Sequence, residues 1–232
     1  MSTKKEQSIA DTINSFREMA NLVLLQLDLI EKVMLSSSEA EQKTLLGQIV
    51  NNENKIDRLE IVISDKFINS IVLYQPLASD LRKLVAIYRM TINLERIGDL
   101  VMNMTYTFES TGKTEEFRFM SDVILSMFQS GKIMVEKSLL SFVNGDQDFA
   151  IWTIKNDSVV DEMNNKLLAN AISRSEIDKK TKDMLISYID IKNIITNIER
   201  IADHATNIAE ATIYSLQGTD IRHSDFEKNS DK

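Results

Sequence analysis

Seven positions of one apolar seam return, with nearly the same residue character, 104 residues further along the chain. Ile87, Met90, Leu94, Ile97, Val101, Met104 and Phe108 are spaced by three and four, and the shift gives Ile191, Ile194, Ile198, Ile201, Ala205, Ile208 and Thr212. That spacing is the period of a helix with one buried face. The same offset takes Asn52, Ile56, Asp57, Leu59, Ile63 and Ile68 to Asn156, Val160, Asp161, Met163, Leu167 and Ile172. One offset serving two helix pairs marks an internal duplication. A duplicated unit of three helices, each with its own seam, predicts an all-α fold of two tandem three-helix bundles rather than one six-helix barrel.

The period and its interruptions place six long helices at about 6–35, 39–73, 77–110, 115–144, 147–172 and 178–217. Six Gly and one Pro in 232 residues leave little material for strand-connecting turns. The breaks have local causes. Ser36, Ser37 and Ser38 offer N-caps, and Pro76 sits where a helix can begin without losing a needed donor. Gly112 closes the third helix and Gly145-Asp146 the fourth, Ser173 to Asp178 separates the last two, and Gly218 stands where a C-cap would. Residues after His223 read as frayed. The units are expected at 1–112 and 113–232, with short connections making sequential helices antiparallel neighbours in an elongated bundle.

Lys and Arg number 27 against 35 Asp and Glu, a net charge of -8. Such a field repels phosphate backbones, which argues against a nucleic-acid partner. The absence of cysteine removes disulfides, thiolate metal sites and cysteine nucleophiles, so any metal must find oxygen or imidazole. Met1 to Ala10 has no apolar core of a secretory signal. The most apolar early stretch, Leu22 to Leu35, is interrupted by Gln26, Asp28, Glu31 and Lys32 and is too short to span a bilayer. A soluble cytoplasmic protein is expected.

The chemistry-bearing residues lie off the seams. Glu95, Asp99 and Asn103 are four apart and share a helix face, and Glu199, Asp203 and Asn207 repeat them at the 104 offset. On the second helix Glu53 and Asp57 are also four apart, answered by Asp157 and Asp161. At 100° per residue the third-helix stripe points away from its seam, so it is expected on the surface or in a shallow groove. Each bundle offers four carboxylates from two helices; if those faces adjoin, the oxygens suit hard cations or iron, more than one ion included. The plain alternative is a solvated face, since Arg58, Arg96 and Arg200 nearby make ordinary helix-surface pairs. Repetition favours chemistry: both units keep Glu, Asp and Asn where packing does not demand them, while surrounding surface positions diverge.

Other positions read more plainly. The Glu-x-x-His motif of ferritin-like di-iron proteins is absent, because Ile201 stands three before His204 and Asp220 three before His223. His204 reads as a polar surface group. Trp152, Tyr88, Tyr106, Tyr188 and the eleven Met residues read as packing. Pro76-Leu77-Ala78-Ser79-Asp80-Leu81-Arg82 opens the third helix, and its shifted counterpart Lys180 to Ile186 lacks the pattern. There is no Gly-rich phosphate loop and no G-x-S-x-G elbow, and nothing points to a conventional active site.

These residues carry a family resemblance. Asp57-Arg58-Leu59-Glu60, Pro76-x-Ala78-x-Asp80-Leu81-Arg82 and Glu95-Arg96-Ile97-Gly98-Asp99 with Asn103 look like the first half of a PhoU protein. Glu199-Arg200-Ile201-Ala202-Asp203-His204-Ala205-x-Asn207-Ile208-Ala209-Glu210, then Ile213-Tyr214 and Gly218-x-x-Ile221-Arg222-His223, resemble the second. The likeness covers about residues 10 to 223. It implies two three-helix bundles and metal clusters held by Glu53, Asp57, Glu95 and Asp99 in one unit and by Asp157, Asp161, Glu199 and Asp203 in the other. The ions implied are iron or zinc foremost, or another divalent metal. It implies no catalysis, but negative regulation of phosphate uptake and phosphate-starvation signalling, through contact with a phosphate ABC transporter and its sensor histidine kinase at the cytoplasmic membrane face, by a homodimer. Ala202 stands where the family usually has Gly, and Asn164 where the first unit has Glu60, which predicts unequal metal sites. The competing readings are a carboxylate-bridged metalloenzyme or metal-storage protein, and a helical adaptor whose stripe is merely solvated.

Overall fold

The structure is a computed structural model that describes residues 3–111, 114–173 and 181–222. Six helices follow one another: α1 Lys4–Leu35, α2 Glu39–Tyr74, α3 Ala78–Thr111, α4 Glu115–Asn144, α5 Gln147–Ser173 and α6 Thr181–Gln217. There is no strand among the described residues. Their ends obey capping chemistry. Thr3 and Glu6 form a reciprocal capping box at α1, and Ser38 and Thr114 accept the Glu41 and Phe117 amides at the starts of α2 and α4. Gly145 closes α4 in the left-handed region at φ 65°, and the Asp146 carboxylate then accepts from the Asp148 amide as α5 begins. Gly112, residues 174–180 and the tail from His223, whose roles the sequence suggested, lie outside the described residues.

The seams read from the sequence are the core. All seven α3 positions and all seven of their α6 counterparts are buried. Within the first unit α1 packs on α2 and α3, and within the second α4 and α5 pack on α6. The most extensive helix contact joins the two units, α3 against α6, so one continuous core runs through both bundles. Polar ties reinforce that junction. Lys132 of α4 lies 2.5 Å from Asp28 and 2.6 Å from Glu31 of α1, while Gln129 donates to Glu31. Arg89 of α3 stacks over the Tyr214 ring of α6 at 4.8 Å. No described helix is long and apolar enough to cross a membrane.

Two expectations need correction. Tyr106 is 64% exposed and packs into nothing, because it sits on the opposite side of α3 from Val101 and Met104. Pro76 does not open α3; it is buried in the connection, and the helix begins two residues later. The chain turns there through two left-handed residues without glycine, Gln75 at φ 44° and Ala78 at φ 48°. An L-residue in that region carries about 1 kcal/mol of steric cost. Ala78→Gly is therefore expected to stabilise by about 0.5 kcal/mol after its own entropy penalty, a Tm rise of roughly 1–2 °C in calorimetry.

Candidate metal centre

The first unit's carboxylates are assembled where α2 lies beside α3, and Glu53 is at the bottom. Its side chain is buried and lies against α3 at Gly98: a Cβ added there would lie 2.8 Å from Glu53 Oε2. Gly98 sits in the middle of a helix, where glycine costs about 1 kcal/mol relative to alanine. Close approach of the carboxylate explains its presence. From the third helix of the unit, Gln26 Nε2 donates to Glu53 Oε2 at 2.6 Å and to the Gly98 carbonyl at 3.3 Å. Asn52 fixes Gln26 in turn, donating to its Oε1 at 3.2 Å and to the Leu22 carbonyl at 2.7 Å. One oxygen is left over: Glu53 Oε1 is buried with no hydrogen-bond partner.

Electrostatics at this place disfavour negative charge. Burial pushes the Glu53 carboxyl up to about 7; the Gln26 donor pulls the other way, and Asp57, Asp99 and Glu95 push it further up. Glu95 is also raised, first by burial and then by Asp99, against the pull of Arg96. Arg96 offers only partial compensation, 3.5 Å from Glu95 and 3.2 Å from Asp99, and it is largely exposed.

The second unit repeats this arrangement in altered form. Burial raises the pKa of Glu199, with Asp161 and Asp203 adding to it, and burial raises Asp203, with Asp161 adding and Arg200 opposing. Here an amide grips the counterpart of Glu95 rather than that of Glu53: Asn164 Nδ2 of α5 donates to Glu199 Oε2 of α6 at 2.5 Å. Ser130 of α4 occupies the offset of Gln26. At the offsets of Glu53 and Gly98 stand Asp157, half-buried, and Ala202, fully buried. A carboxylate shorter by one methylene accompanies a methyl in place of glycine, so Ala202 is one half of a paired change rather than a small departure. His204 is not merely a surface group. It is half-buried, its Nδ1 lies 2.9 Å from Asn93 Oδ1 of α3, and burial, with Arg200 and Arg96, depresses its pKa to about 4. A neutral imidazole thus ties α6 to α3.

The structure sets Glu53, Asp57, Glu95 and Asp99 within one another's field, and likewise Asp161, Glu199 and Asp203. Among the described residues no three carboxylate or imidazole groups are closed around a common point. The donor chemistry nevertheless fits a hard divalent cation: oxygen ligands only, the buried Glu53 Oε1 without a partner in the first unit, and clustered carboxylates whose charge nothing fully compensates. The sequence reading did not give Gln26, Asn52 and Gly98 a role here. Gln26 carried a signal, a lone uncharged polar residue among leucines in Leu22 to Leu35.

The fold and its repeated domain recur in known proteins. A family model described as the PhoU domain matches residues 16–107 and again 124–212. A Burkholderia protein named phosphate-specific transport system accessory protein PhoU homolog is 30% identical, over 96% of this chain and 93% of its own length. A Thermotoga maritima homologue of that name is 30% identical over 81% of this chain and 80% of its own. The crystal structure of PhoU from Pseudomonas aeruginosa superposes with a TM-score of 0.80 at 24% identity, covering 92% of this chain and 99% of that one. The phosphate transport system regulatory protein PhoU from Streptococcus pneumoniae gives 0.76 at 21% identity, covering 94% and 99%.

Proposed function

Because the chain belongs to the PhoU family, we propose that it is an accessory protein of a phosphate-specific transport system. It would act as a negative regulator of phosphate uptake and of phosphate-starvation signalling, by contact with the transporter and its sensor histidine kinase on the cytoplasmic side of the membrane. The observation that carries this reading is the repeated PhoU domain over both units, in relatives that match nearly end to end and are named as accessory proteins of phosphate transport. The role is one of contact, and no residue is assigned a catalytic step. Phosphate accumulation and a starvation-responsive reporter in a deletion strain test it. Higher accumulation and a derepressed reporter are expected; unchanged values of both would remove the proposal.

The carboxylates are proposed to hold divalent or transition metal, iron or zinc foremost. Glu53, Asp57, Glu95 and Asp99 would bind in the first unit and Asp157, Asp161, Glu199 and Asp203 in the second. The ion would supply positive charge that lets Glu53, Glu95, Glu199 and Asp203 ionise where burial opposes it. The two sites are expected to differ, since Gln26 grips Glu53 in one and Asn164 grips Glu199 in the other. Elemental analysis of protein purified without chelator should find metal, and a chelator should remove it together with several degrees of Tm, because an ion bound only by the folded state stabilises it. Metal-free protein with an unchanged melt would return the exposed carboxylates to solvated surface and leave Glu53 as a buried structural group.

A further inference from the structure

Two segments that neither the helix seams nor the carboxylate site account for meet at one end of the molecule. They are Asp80-Leu81-Arg82 at the start of α3 and Gly218 to Arg222 after α6. The two helices run antiparallel, with Asn93 beside His204, Arg89 over Tyr214 and Arg82 against Gly218. Gly218 turns the chain at φ 77°, and a Cβ there would lie 3.3 Å from Arg82 Nε. Ile221 then anchors the segment, 6% exposed among Ala150, Ile154, Ala209 and Ile213. Beside it lies a cavity of about 210 Å³ whose lining includes Arg89, Asn93, Asn207, Glu210, Asp220 and Arg222.

Two guanidinium groups from distant parts of the chain converge on one carboxylate in this cavity. Arg222 Nε donates to both Asp220 oxygens, at 2.9 and 3.2 Å, and its Nη2 to Oδ2 at 2.6 Å; Arg89 Nη1 from the first unit reaches Oδ2 at 3.4 Å. The Arg222 hydrogen bonds hold the Asp220 carboxyl well below the usual carboxylate range, and Arg89 adds to the effect. We propose that Arg89 and Arg222 form a site for a phosphate-sized oxyanion, in which Asp220 is a placeholder carried by the chain itself. Guanidinium forks match the edge of such an ion, and the Asn207 amide offers a further donor to the cavity. The side chains of Arg89, Asp220 and Arg222 are 32%, 37% and 46% exposed, so a diffusing ion reaches them.

Size and charge select the occupant. The cavity exceeds what one carboxylate needs and falls short of the roughly 300 Å³ at which pockets begin to enclose drug-sized ligands, which leaves a small ion. With Asp220 in place, two guanidiniums face two carboxylates, Asp220 and Glu210, and the charges cancel. With Asp220 displaced the balance turns positive. Arg82, whose buried Nε has no hydrogen-bond partner among the described residues, adds its charge at the same turn. The duplication provides an internal control: at the offsets of Arg82 and Arg89 the second unit has Ile186 and Asn193, so the arginines are not a by-product of the repeat.

Titration calorimetry of the chelator-stripped full chain with inorganic phosphate at low ionic strength tests the site, with no cation left at the carboxylates to hold the probe. The wild type should bind one phosphate per chain weakly, because a tethered competitor acts at millimolar effective concentration or above and the open site is only a fraction of the population. Asp220→Asn should bind at least tenfold more tightly. Adding Arg89→Ala to it should undo that gain, and Arg89→Lys, which keeps the charge without the fork, should fall between. Thermal melts keep unfolding out of the comparison, and Asp220→Ser serves the same purpose where the asparagine variant melts early. A placeholder variant that binds phosphate no better than the wild type, or whose affinity is indifferent to Arg89, would overturn the proposal.

Discussion

Gly98→Ala is expected to destabilise the protein although it places the better helix former inside a helix. The new Cβ lands 2.8 Å from Glu53 Oε2, and that carboxylate cannot simply swing aside, because it is buried and Gln26 holds it at 2.6 Å. Moving it strips the Gln26 amide of a charge-assisted bond in a buried place, a cost of about 2–3 kcal/mol. The gain in helix propensity returns about 1 kcal/mol. A net loss of about 1–2 kcal/mol lowers Tm by roughly 2–8 °C in a chain of this size. Gly47 supplies the control: it is helical too, and a Cβ there meets nothing within 4 Å. Gly47→Ala should stabilise by about 1 kcal/mol through propensity alone. If both substitutions move Tm in the same direction by the same amount, the close approach at Gly98 has no energetic weight.

The second unit suggests the rescue. It carries Asp157 and Ala202 at the offsets of Glu53 and Gly98, so Glu53→Asp in the Gly98→Ala background should recover part of the loss. Recovery would show that the two positions covary sterically. A double variant less stable than either single one would mean that the second unit uses a different geometry. The test separates size from charge, since every variant keeps a carboxylate at position 53.

What the sequence made legible follows from what each pattern encodes. Helix seams are local and periodic, so the fourteen seam positions and the ends at Ser38, Gly145 and Gly218 could be read directly and are found buried or capping. The duplication added which carboxylates keep company. Periodicity does not say how deep a residue sits beside a neighbouring helix, and so Glu53, read only as a carboxylate four before Asp57, lies at the bottom of the site. Nor does it reveal that Gln26, from the unit's other helix, meets Glu53, a contact between residues 27 apart in sequence. His204 is the same case over a longer distance: its partner Asn93 belongs to the other unit. The connection at Pro76 escaped for a different reason, because left-handed backbone at Gln75 and Ala78 has no glycine to announce it.

The pH dependence of the metal-free protein should carry the mark of Glu53, with the sign opposite to that of an ordinary paired carboxylate. Its folded pKa, about 7, lies above the ordinary glutamate value of 4.5. Below about 4.5 the carboxyl is protonated in both states and its contribution is fully present. As pH rises toward 7 the unfolded chain gives up its proton while the folded one retains it, so the unfolded state gains and stability falls. Across that window the loss from Glu53 is on the order of 3 kcal/mol. Glu95, Glu199 and Asp203 are raised as well and add to the same slope. Urea unfolding of chelator-stripped protein between pH 4.5 and 8 reads it out. Glu53→Gln should flatten the profile and be the more stable protein above pH 7, since an amide carries no charge to bury. Adding a divalent cation should restore the wild type at high pH and leave Glu53→Gln behind, because ligation needs the ionised carboxylate that the metal-free site resists forming. Parallel profiles for the two proteins would mean that Glu53 ionises as an exposed glutamate does, and the electrostatic case for a cation at the first site would fall with it.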